Sequence, residues 1–161
     1  MTALFDFDGV VMDTEELYTV FWDRMGEKYL GVKNLSPSVK GQTLFQIYGK
    51  FFAGMEEEQK KITQELNDYE KDMPYVPVKG AFEFIAELRK RGVTTAIVTS
   101  SNKPKMGNVY RHYPEFKDLV GHIFTSEFVT RSKPDPQCFL NAMEALGAPV
   151  SETVVCEDSI N

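Results

Sequence analysis

The chain has 161 residues, of which 42% are apolar, enough to bury the core of one domain or of one domain with a small insert. Its formal net charge is −6 and it has no basic run, which argues against nucleic acid as the main partner. No stretch approaches the roughly 20 apolar residues of a membrane-spanning helix, and the N-terminus lacks the pattern of a signal peptide. We therefore expect a cytoplasmic protein with no membrane partner, and a monomer.

The first predicted element is a short buried strand at residues 3–7, which runs directly into two aspartates. Asp6 and Asp8 are separated by Phe7 and followed at once by Gly9. Burying two carboxylates without partners would cost several kcal/mol. The sequence therefore predicts a cation at the end of this strand.

The next segment is helical. Apolar residues recur at helical spacing over residues 17–29, and Asp13 or Thr14 can cap that helix. Residues 34–54 indicate a turn and a short helix, and residues 55–74 indicate a charged, amphipathic helix. Because no strand signal appears in this part of the chain, we predict an all-helical insert directly after the first strand.

From Pro77 onward the pattern changes to alternating helices and strands. It predicts, in order, a helix, a strand, a shorter strand, a helix and a strand at residues 79–92, 93–101, 121–126, 135–147 and 152–159. This alternation is typical of a parallel α/β sheet. The α/β core is therefore predicted at residues 1–13 and 77–161, with the helical insert at residues 14–76.

Polar side chains follow each predicted core strand. In open parallel sheets, ligands bind beyond the carboxyl ends of the strands. The residues that would meet there are the following: Asp6, Asp8, Thr99, Ser100, Glu157 and Asp158, with Lys133 in a loop. If the strands are neighbours, four carboxylates, a hydroxyl and an ammonium group converge on one crevice.

Four motifs in this chain resemble those of the haloacid dehalogenase-like hydrolases, within the branch of β-phosphoglucomutase and the small-sugar or glycolate phosphatases. They are, in order, "DFDGVVMDTE" at 6–15, "IVTSS" at 97–101, "SKPDP" at 132–136 and "CEDS" at 156–159. The likeness covers nearly the whole chain, and the helical insert corresponds to that family's cap subdomain. The resemblance implies a Rossmann-like parallel sheet core and a Mg²⁺-dependent phosphatase.

The resemblance also implies a role for each motif residue. Asp6 would be the nucleophile that forms an aspartyl-phosphate, and Asp8 would protonate the leaving oxygen and then activate water. Lys133 would offset the charge of Asp6 and of the phosphoryl oxygens. The Thr99 hydroxyl and the backbone N–H of Ser100 would hold those oxygens.

A magnesium site is the cation that the resemblance implies for these carboxylates. Mg²⁺ prefers oxygen ligands at roughly 2.1 Å in an octahedron that waters complete. The expected ligands are Asp6, the backbone carbonyl of Asp8, and Asp158. Glu157 is expected close by or bonded through water.

Substrate contacts are expected in the cap. The segment "VKGQTLFQIYGKF" resembles the substrate-facing segment of the family, which makes Lys40, Gly41, Gln42 and Thr43 candidate contacts. The β-phosphoglucomutases usually carry an arginine at the position aligned with Leu44, where it holds a second phosphate. Leucine cannot do this. We therefore favour a phosphatase acting on a small phosphorylated metabolite, of the sugar phosphate type, over a phosphosugar mutase.

Other interpretations stay open at the level of the sequence. A phospho-acceptor switch also gathers acidic residues, a hydroxyl and a lysine around magnesium, although receiver domains lack a helical insert after the first strand. A catalytically silent binding protein is a third candidate, against which the intact Asp6 and Asp8 pair argues. Thr99 and Ser100 could merely cap the next helix, Lys133 could be a solvated loop lysine, and "CEDS" could be a helix cap.

Two further expectations concern the cysteines and the C-terminus. Cys138 and Cys156 form no CxxC motif and are interpreted as buried thiols in a reducing compartment. The chain stops at Asn161, where relatives continue for on the order of fifty residues, so that Val154 and Val155 would lie on an uncovered sheet edge. We therefore expect a fragment of a longer protein.

Overall fold

The computed structural model describes residues 1–159, and within them four parallel strands form one sheet. The strands, in the sheet order β3-β2-β1-β4, are β1 (Thr2–Phe5), β2 (Thr94–Val98), β3 (His122–Phe124) and β4 (Thr153–Cys156). Phe5 is paired in register with Ile97 on one side and with Cys156 on the other. The carboxyl ends of the three strands therefore lie side by side, and the predicted parallel α/β fold is confirmed.

Seven α-helices accompany the sheet in residues 1–159. They are α1 (Glu15–Met25), α2 (Leu44–Phe51), α3 (Glu56–Asp72), α4 (Ala81–Lys90), α5 (Lys103–His112), α6 (Phe116–Val120) and α7 (Gln137–Leu146). The first three lie between β1 and α4 in the chain, as the helical pattern predicts. Helices α5 and α6 lie in a region for which the sequence pattern predicts no element.

The alternation of side chains along the strands divides the core of the sheet into two layers. Phe5 and Ile97 lie in one apolar cluster, whereas Leu4 and Ala96 lie in another on the opposite face, against α7. This is the two-residue period of a strand that is buried on both faces. Both faces of β1 and β2 are thus covered, which leaves the strand ends as the accessible edge.

The helical segment has an apolar cluster of its own. Its buried members are Phe21, Trp22, Met25, Leu35, Val39, Ile47, Phe52, Ile62 and Leu66. These residues come from α1, α2, α3 and the two loops that connect them, which supports treating the insert as a subdomain. The boundaries at residues 14 and 76 stay a prediction.

The start of α1 differs from its predicted form. Thr14 occupies the N-cap position, but its side chain makes no capping hydrogen bond. Its hydroxyl instead donates to the carboxylate of Asp8. Thr14, one of the two predicted cap residues, is therefore the N-cap of α1, but its side chain binds Asp8 because that charged acceptor lies within its reach.

Three remaining expectations can be compared with the described residues. Cys138 is buried as expected, whereas Cys156 is only partly buried, so the interpretation of Cys156 as a buried thiol is wrong; both are free thiols. No helix in residues 1–159 has the length and apolar character needed to cross a membrane. At the β4 edge of the sheet, Val154 is 54% exposed.

Candidate active site

The carboxyl ends of β1 and β4 bring Asp6 beside Glu157. The backbone N–H of Asp6 donates to the carbonyl of Cys156 at 2.9 Å, which continues the pairing of the two strands by one residue. The ammonium group of Lys133 lies 2.9 Å from Oδ1 of Asp6 and 2.5 Å from Oε2 of Glu157. Lys133 is buried, so the interpretation of this residue as a solvated loop lysine is wrong.

The charges around Asp6 remain incompletely balanced. Burial raises the pKa of Asp6 to about 7, although the ammonium of Lys133 acts in the opposite direction. Burial alone would raise the pKa of Glu157, but its hydrogen bond with Lys133 holds that pKa below its ordinary value. One ammonium thus serves two carboxylates, and Asp6 ionises fully at neutral pH only if another cation approaches it.

Three carboxylates form a group that could hold a metal ion. Asp6, Glu157 and Asp158 each offer one oxygen atom, and these atoms lie within 4.8 Å of one another. Carboxylate oxygens in this number are the donors that a hard divalent cation such as Mg²⁺ prefers. The raised pKa of Asp6 points to the same need for a cation, because burial without enough positive charge disfavours the ionised form of Asp6. The residues present therefore fit a magnesium ion.

Asp8 is held by a different lysine. The ammonium of Lys105 lies 2.6 Å from both Oδ1 and Oδ2 of Asp8. The hydroxyl of Ser101 donates to Oδ2 at 2.9 Å, and the hydroxyl of Thr14 donates to Oδ1. Burial would raise the pKa of Asp8, but Lys105 and the two hydroxyls together hold it below its ordinary value.

Lys105 is a site residue that the sequence reasoning missed. It belongs to the first turn of α5, where the side chain of Asn102 caps the helix by accepting from the Lys105 N–H at 3.0 Å. A signal was present in the sequence, since Lys105 shares one helical face with Met106 and Val109, both buried. A lysine on a buried face requires a partner, and here the partner is Asp8.

The residues that follow β2 differ in their surroundings. The Thr99 hydroxyl is buried and accepts from the backbone N–H of Ser101 at 3.0 Å. The Ser100 hydroxyl donates to the carbonyl of Gly41 at 3.4 Å, which joins the strand end to the helical segment. Asn102 occupies the N-cap of α5, so the alternative that Thr99 or Ser100 merely caps this helix is wrong.

A cavity of about 410 Å³ lies between the strand ends and the helical segment. Its lining includes Asp6, Asp8, Ser100, Lys105, Glu157 and Asp158, as well as the four predicted contacts Lys40, Gly41, Gln42 and Thr43. Thr99 and Lys133 are not among the described lining residues. Most of the predicted site residues and the predicted substrate segment thus line the same cavity.

Three of the four predicted contacts have side-chain partners of their own. The ammonium of Lys40 lies 2.9 Å from Glu15 and 3.0 Å from Asp158. The Gln42 side chain donates to the carbonyl of Ser38 at 2.8 Å. Thr43 is the N-cap of α2 and forms a capping box with Gln46.

Gln46 joins the helical segment to the α/β core, and the sequence reasoning also missed this contact. Its side-chain amide donates to the backbone carbonyl of Lys133 at 3.1 Å. The Ser132 hydroxyl donates to the Thr43 hydroxyl at 3.4 Å, close to the same point. The start of α2 therefore packs against the loop that carries Lys133.

The other wall of the cavity carries a buried acid from α3. Glu70 is 5% exposed, and its Oε1 accepts from the Tyr18 hydroxyl at 2.7 Å. Burial raises the pKa of Glu70. Apolar side chains, among them Trp22, Leu44 and Leu66, also line the cavity.

Comparisons with known proteins place this geometry in a family. The chain is 24% identical over 185 residues to the protein SUPPRESSOR OF QUENCHING 1, chloroplastic, of Arabidopsis thaliana, covering 98% of this chain and 16% of that protein. It is 29% identical over 172 residues to the phosphorylated carbohydrates phosphatase of Thermotoga maritima, covering 98% of this chain and 76% of that protein. The chain therefore spans less than a fifth of the first relative and about three-quarters of the second.

A solved structure confirms the fold. The HAD hydrolase, family IA, variant 3 from Entamoeba histolytica superimposes with a TM-score of 0.78 at 23% identity, covering 99% of this chain and 76% of that chain. The family model of the haloacid dehalogenase-like hydrolases matches residues 1–161, and the expectation of a hydrolytic enzyme is confirmed. The parallel sheet and the acidic strand ends agree with this match over the whole chain, and the chain therefore belongs to the haloacid dehalogenase-like hydrolases.

Proposed function

We propose that this chain is a Mg²⁺-dependent phosphatase that hydrolyses a small phosphorylated metabolite, of the sugar phosphate type, through an aspartyl-phosphate. The observation that carries the proposal is the convergence of Asp6, Glu157 and Asp158 at the carboxyl ends of β1 and β4, where the ammonium of Lys133 contacts Asp6 and Glu157. The name of the Thermotoga maritima relative supports a phosphatase and a carbohydrate substrate.

Asp6 is the proposed nucleophile. Phosphate-monoester hydrolysis is among the slowest uncatalysed reactions, with enzymatic accelerations of up to about 10²¹-fold, and a covalent intermediate divides the reaction into two easier steps. One Asp6 oxygen attacks phosphorus and the bond to the leaving oxygen breaks. Lys133 stabilises the charge that Asp6 shares with the phosphoryl oxygens, because its ammonium is buried and lies 2.9 Å from Oδ1 of Asp6.

Asp8 is the proposed general acid and base. It would take up a proton from solvent once its contacts with Lys105 are released, give that proton to the leaving oxygen in the first step, and take one from the attacking water in the second. Both Asp6 and Asp8 line the cavity, which supports a mechanism in which the two carboxyl groups act on one substrate. Two aspartates with different lysine partners can therefore have different roles.

The magnesium ion is proposed to bind Asp6, Asp158 and the backbone carbonyl of Asp8, with Glu157 close by or bonded through water. When bound, it supplies positive charge that neutralises the phosphoryl oxygens and the ionised nucleophile. The Thr99 hydroxyl and the backbone N–H of Ser100 are proposed to hold the phosphoryl oxygens. Because the Thr99 hydroxyl uses one lone pair to accept from Ser101, its proton is available for a phosphate.

The cavity supports a phosphatase over a phosphosugar mutase. A mutase must hold a second phosphate away from the reacting one, and a cation is needed there. Leu44 lines the cavity at the aligned position, with Trp22 and Leu66 nearby in the same lining. Lys40 faces the cavity, but it is held by Glu15 and Asp158. We propose that Lys40, Gly41, Gln42 and Thr43 contact the leaving group of a monophosphate.

The first experiment measures hydrolysis of 4-nitrophenyl phosphate with and without Mg²⁺, followed by a panel of phosphosugars and short phosphorylated acids. We expect Mg²⁺-dependent turnover, abolished in the Asp6→Asn variant. Conversion of a hexose 1-phosphate to the 6-phosphate that depends on a bisphosphate primer would identify a mutase instead.

Trapping of the intermediate separates an enzyme from a phospho-acceptor switch. With acetyl phosphate as the donor and mass spectrometry as the measurement, Asp6→Asn should show no phosphorylation, whereas Asp8→Asn should still be phosphorylated slowly. A parent protein that accumulates phosphate on Asp6 without turnover would be a switch. Equal steady-state activity of Asp6→Asn and the parent would contradict the mechanism.

A further inference from the structure

Gln46, in the first turn of α2, uses the two ends of its side-chain amide for two different parts of the chain. Its Oε1 accepts from the backbone N–H of Thr43 at 2.8 Å, as part of the capping box. Its Nε2 donates to the backbone carbonyl of Lys133 at 3.1 Å. We propose that Gln46 is a positioning residue that holds the substrate segment, residues 40–43, against the core loop that carries Lys133. The inference rests on the proposed function, because it takes the substrate segment as the part of the chain that contacts the leaving group.

Capping alone does not require a glutamine at residue 46. A capping box needs a side-chain acceptor at this position, and the carboxylate of a glutamate serves as well as the amide of a glutamine. A carboxylate offers acceptors only, whereas an amide also has two N–H donors. The donor end of Gln46 is the end that reaches the core, so the bond to Lys133 is the part of its chemistry that a glutamate would lose.

The carbonyl that Gln46 reaches belongs to the residue whose ammonium serves the proposed nucleophile. Lys133 is 7% exposed, and its ammonium lies 2.9 Å from Oδ1 of Asp6. Among residues 1–159, no backbone N–H donates to the Lys133 carbonyl. Gln46 thus supplies a partner for the carbonyl of a buried residue, and it docks the helical segment on the residue that carries a cation of the site.

Two longer contacts lie beside this bond. The Ser132 hydroxyl donates to the Thr43 hydroxyl, and the Ser100 hydroxyl donates to the carbonyl of Gly41, each at 3.4 Å. Hydrogen bonds donated by hydroxyl groups are most often roughly 2.7–2.8 Å long, so both contacts are weak. The bond from Gln46 is the shortest of the three, and a substitution at residue 46 removes it without changing the substrate segment itself.

Loss of this donor should matter most for a substrate whose leaving group reaches the helical segment. A phosphosugar is expected to contact the core through its phosphoryl group and residues 40–43 through its sugar. Acetyl phosphate has an acetate leaving group, which fills little of the cavity of about 410 Å³. Because the two substrates share the phosphoryl site, a misplaced substrate segment should impair hydrolysis of the phosphosugar and spare that of acetyl phosphate.

The test uses two variants of Gln46 at about pH 8, where an introduced glutamate is ionised. Gln46→Glu keeps the acceptor of the capping box, but it places a carboxylate opposite the Lys133 carbonyl. Gln46→Met adds no charge, but it loses the capping box. Loss of the donor is the change that the two variants share, so an effect common to both comes from that loss. If Gln46→Met does not unfold cooperatively, Gln46→Leu is measured in its place.

The first measurement is kcat/KM on the full chain with saturating Mg²⁺. The substrates are acetyl phosphate and the phosphosugar of the panel that the parent hydrolyses with the highest kcat/KM. We expect both variants to lose about tenfold on the phosphosugar and to stay within about threefold of the parent on acetyl phosphate. The loss has this size because removal of one partner of a buried hydrogen bond costs about a factor of ten.

The second measurement does not depend on activity. Amide hydrogen exchange is followed in a peptide that covers residues 130–136, which lies on the core side of the contact and outside the capping box. Both variants should exchange about tenfold faster than the parent in this peptide. A loss of the capping box alone would not produce this change.

Gln59→Glu is the matched control. The Gln59 side-chain amide also donates to a backbone carbonyl, that of Phe52 at 2.7 Å, but this bond lies within the helical segment. The substitution adds the same charge to the same segment. It should match the parent in kcat/KM on both substrates and in exchange of residues 130–136.

The outcomes separate the inference from the function on which it rests. Equal losses on both substrates, a loss in one variant only, unchanged kinetics or unchanged exchange each overturn the role of Gln46 while the phosphatase stands. A parent that hydrolyses no phosphosugar overturns the proposed function, and the exchange measurement then decides by itself whether Gln46 docks the helical segment. A loss confined to the phosphosugar, with faster exchange in both variants but not in Gln59→Glu, supports the inference.

Discussion

The backbone of Gly9 lies so close to the side chain of Asp158 that a Cβ atom on Gly9 would be 2.5 Å from Oδ2 of Asp158. Gly9 also has a φ of +78°, a conformation that disfavours any other residue. The turn after the two aspartates is therefore in direct contact with the loop that follows β4. Any side chain at residue 9 must move a proposed metal ligand.

We expect Gly9→Ala to lower kcat by about 100-fold and to weaken Mg²⁺ binding, because ligands displaced by about 1 Å are poorly placed. Gly92→Ala is the matched control, since Gly92 has the same φ of +78° but nothing within 4 Å of its Cβ position. Both variants carry the backbone strain, and only Gly9→Ala carries the collision. Similar activity in the two variants would show that the close approach does not matter.

The raised pKa of Asp6 predicts how magnesium affinity depends on pH. Below about pH 7 the metal-free carboxyl is protonated, and Mg²⁺ must displace that proton in order to bind. The apparent affinity should fall by up to about tenfold for each pH unit below 7 and level off above it. Calorimetric titration at pH 6, 7 and 8 measures this. Asp6→Asn should bind Mg²⁺ weakly with little pH dependence, whereas equal parent affinities at pH 6 and 8 would contradict the prediction.

Removal of the ammonium of Lys133 should impair catalysis more than removal of an exposed cation. Lys133→Met would leave Asp6 and Glu157 without their buried partner, so we expect kcat to fall by about 10²–10³-fold at saturating Mg²⁺. Arg131→Met is the control, because the side chain of Arg131 is 67% exposed and contacts only Asp135 among the ion pairs of residues 1–159. A kcat within threefold of the parent for Lys133→Met would remove it from the mechanism.

Lys40 should affect substrate binding more than the chemical step. Its ammonium joins Glu15 of α1 to Asp158 of the core across the cavity. Lys40→Met is expected to raise KM about tenfold and to leave kcat within about threefold, because it removes a contact made equally in the ground and transition states. Lys33→Met, an exposed lysine of the same helical segment, should leave both constants unchanged. An equal fall of kcat and kcat/KM in Lys40→Met would indicate a role in the transition state instead.

Much of the fold could be predicted from local pattern. The strands β1, β2 and β4 are short β-branched or apolar runs that end in polar residues, and α1, α3 and α4 show helical spacing of apolar residues. Helix α5 was missed because its sequence is polar and contains Pro104 and Gly107, so its periodicity is weak. Its stability comes from the Asn102 cap and from tertiary packing of Met106 and Val109.

The sequence by itself determined which residues end the strands, and it predicted that Asp6, Asp8, Glu157 and Asp158 would meet at one edge of a parallel sheet if those strands were neighbours. The two-residue period of a strand fixes the face of the sheet on which each side chain lies, and parallel strands place their carboxyl ends at one edge. Only the tertiary structure decided which cation neutralises which carboxylate. Lys105 and Asp8 are 97 residues apart in the chain but 2.6 Å apart in space, and Lys133 is shared between Asp6 and Glu157. Electrostatic energy depends on distance and burial, and neither is encoded in the spacing of residues along the chain.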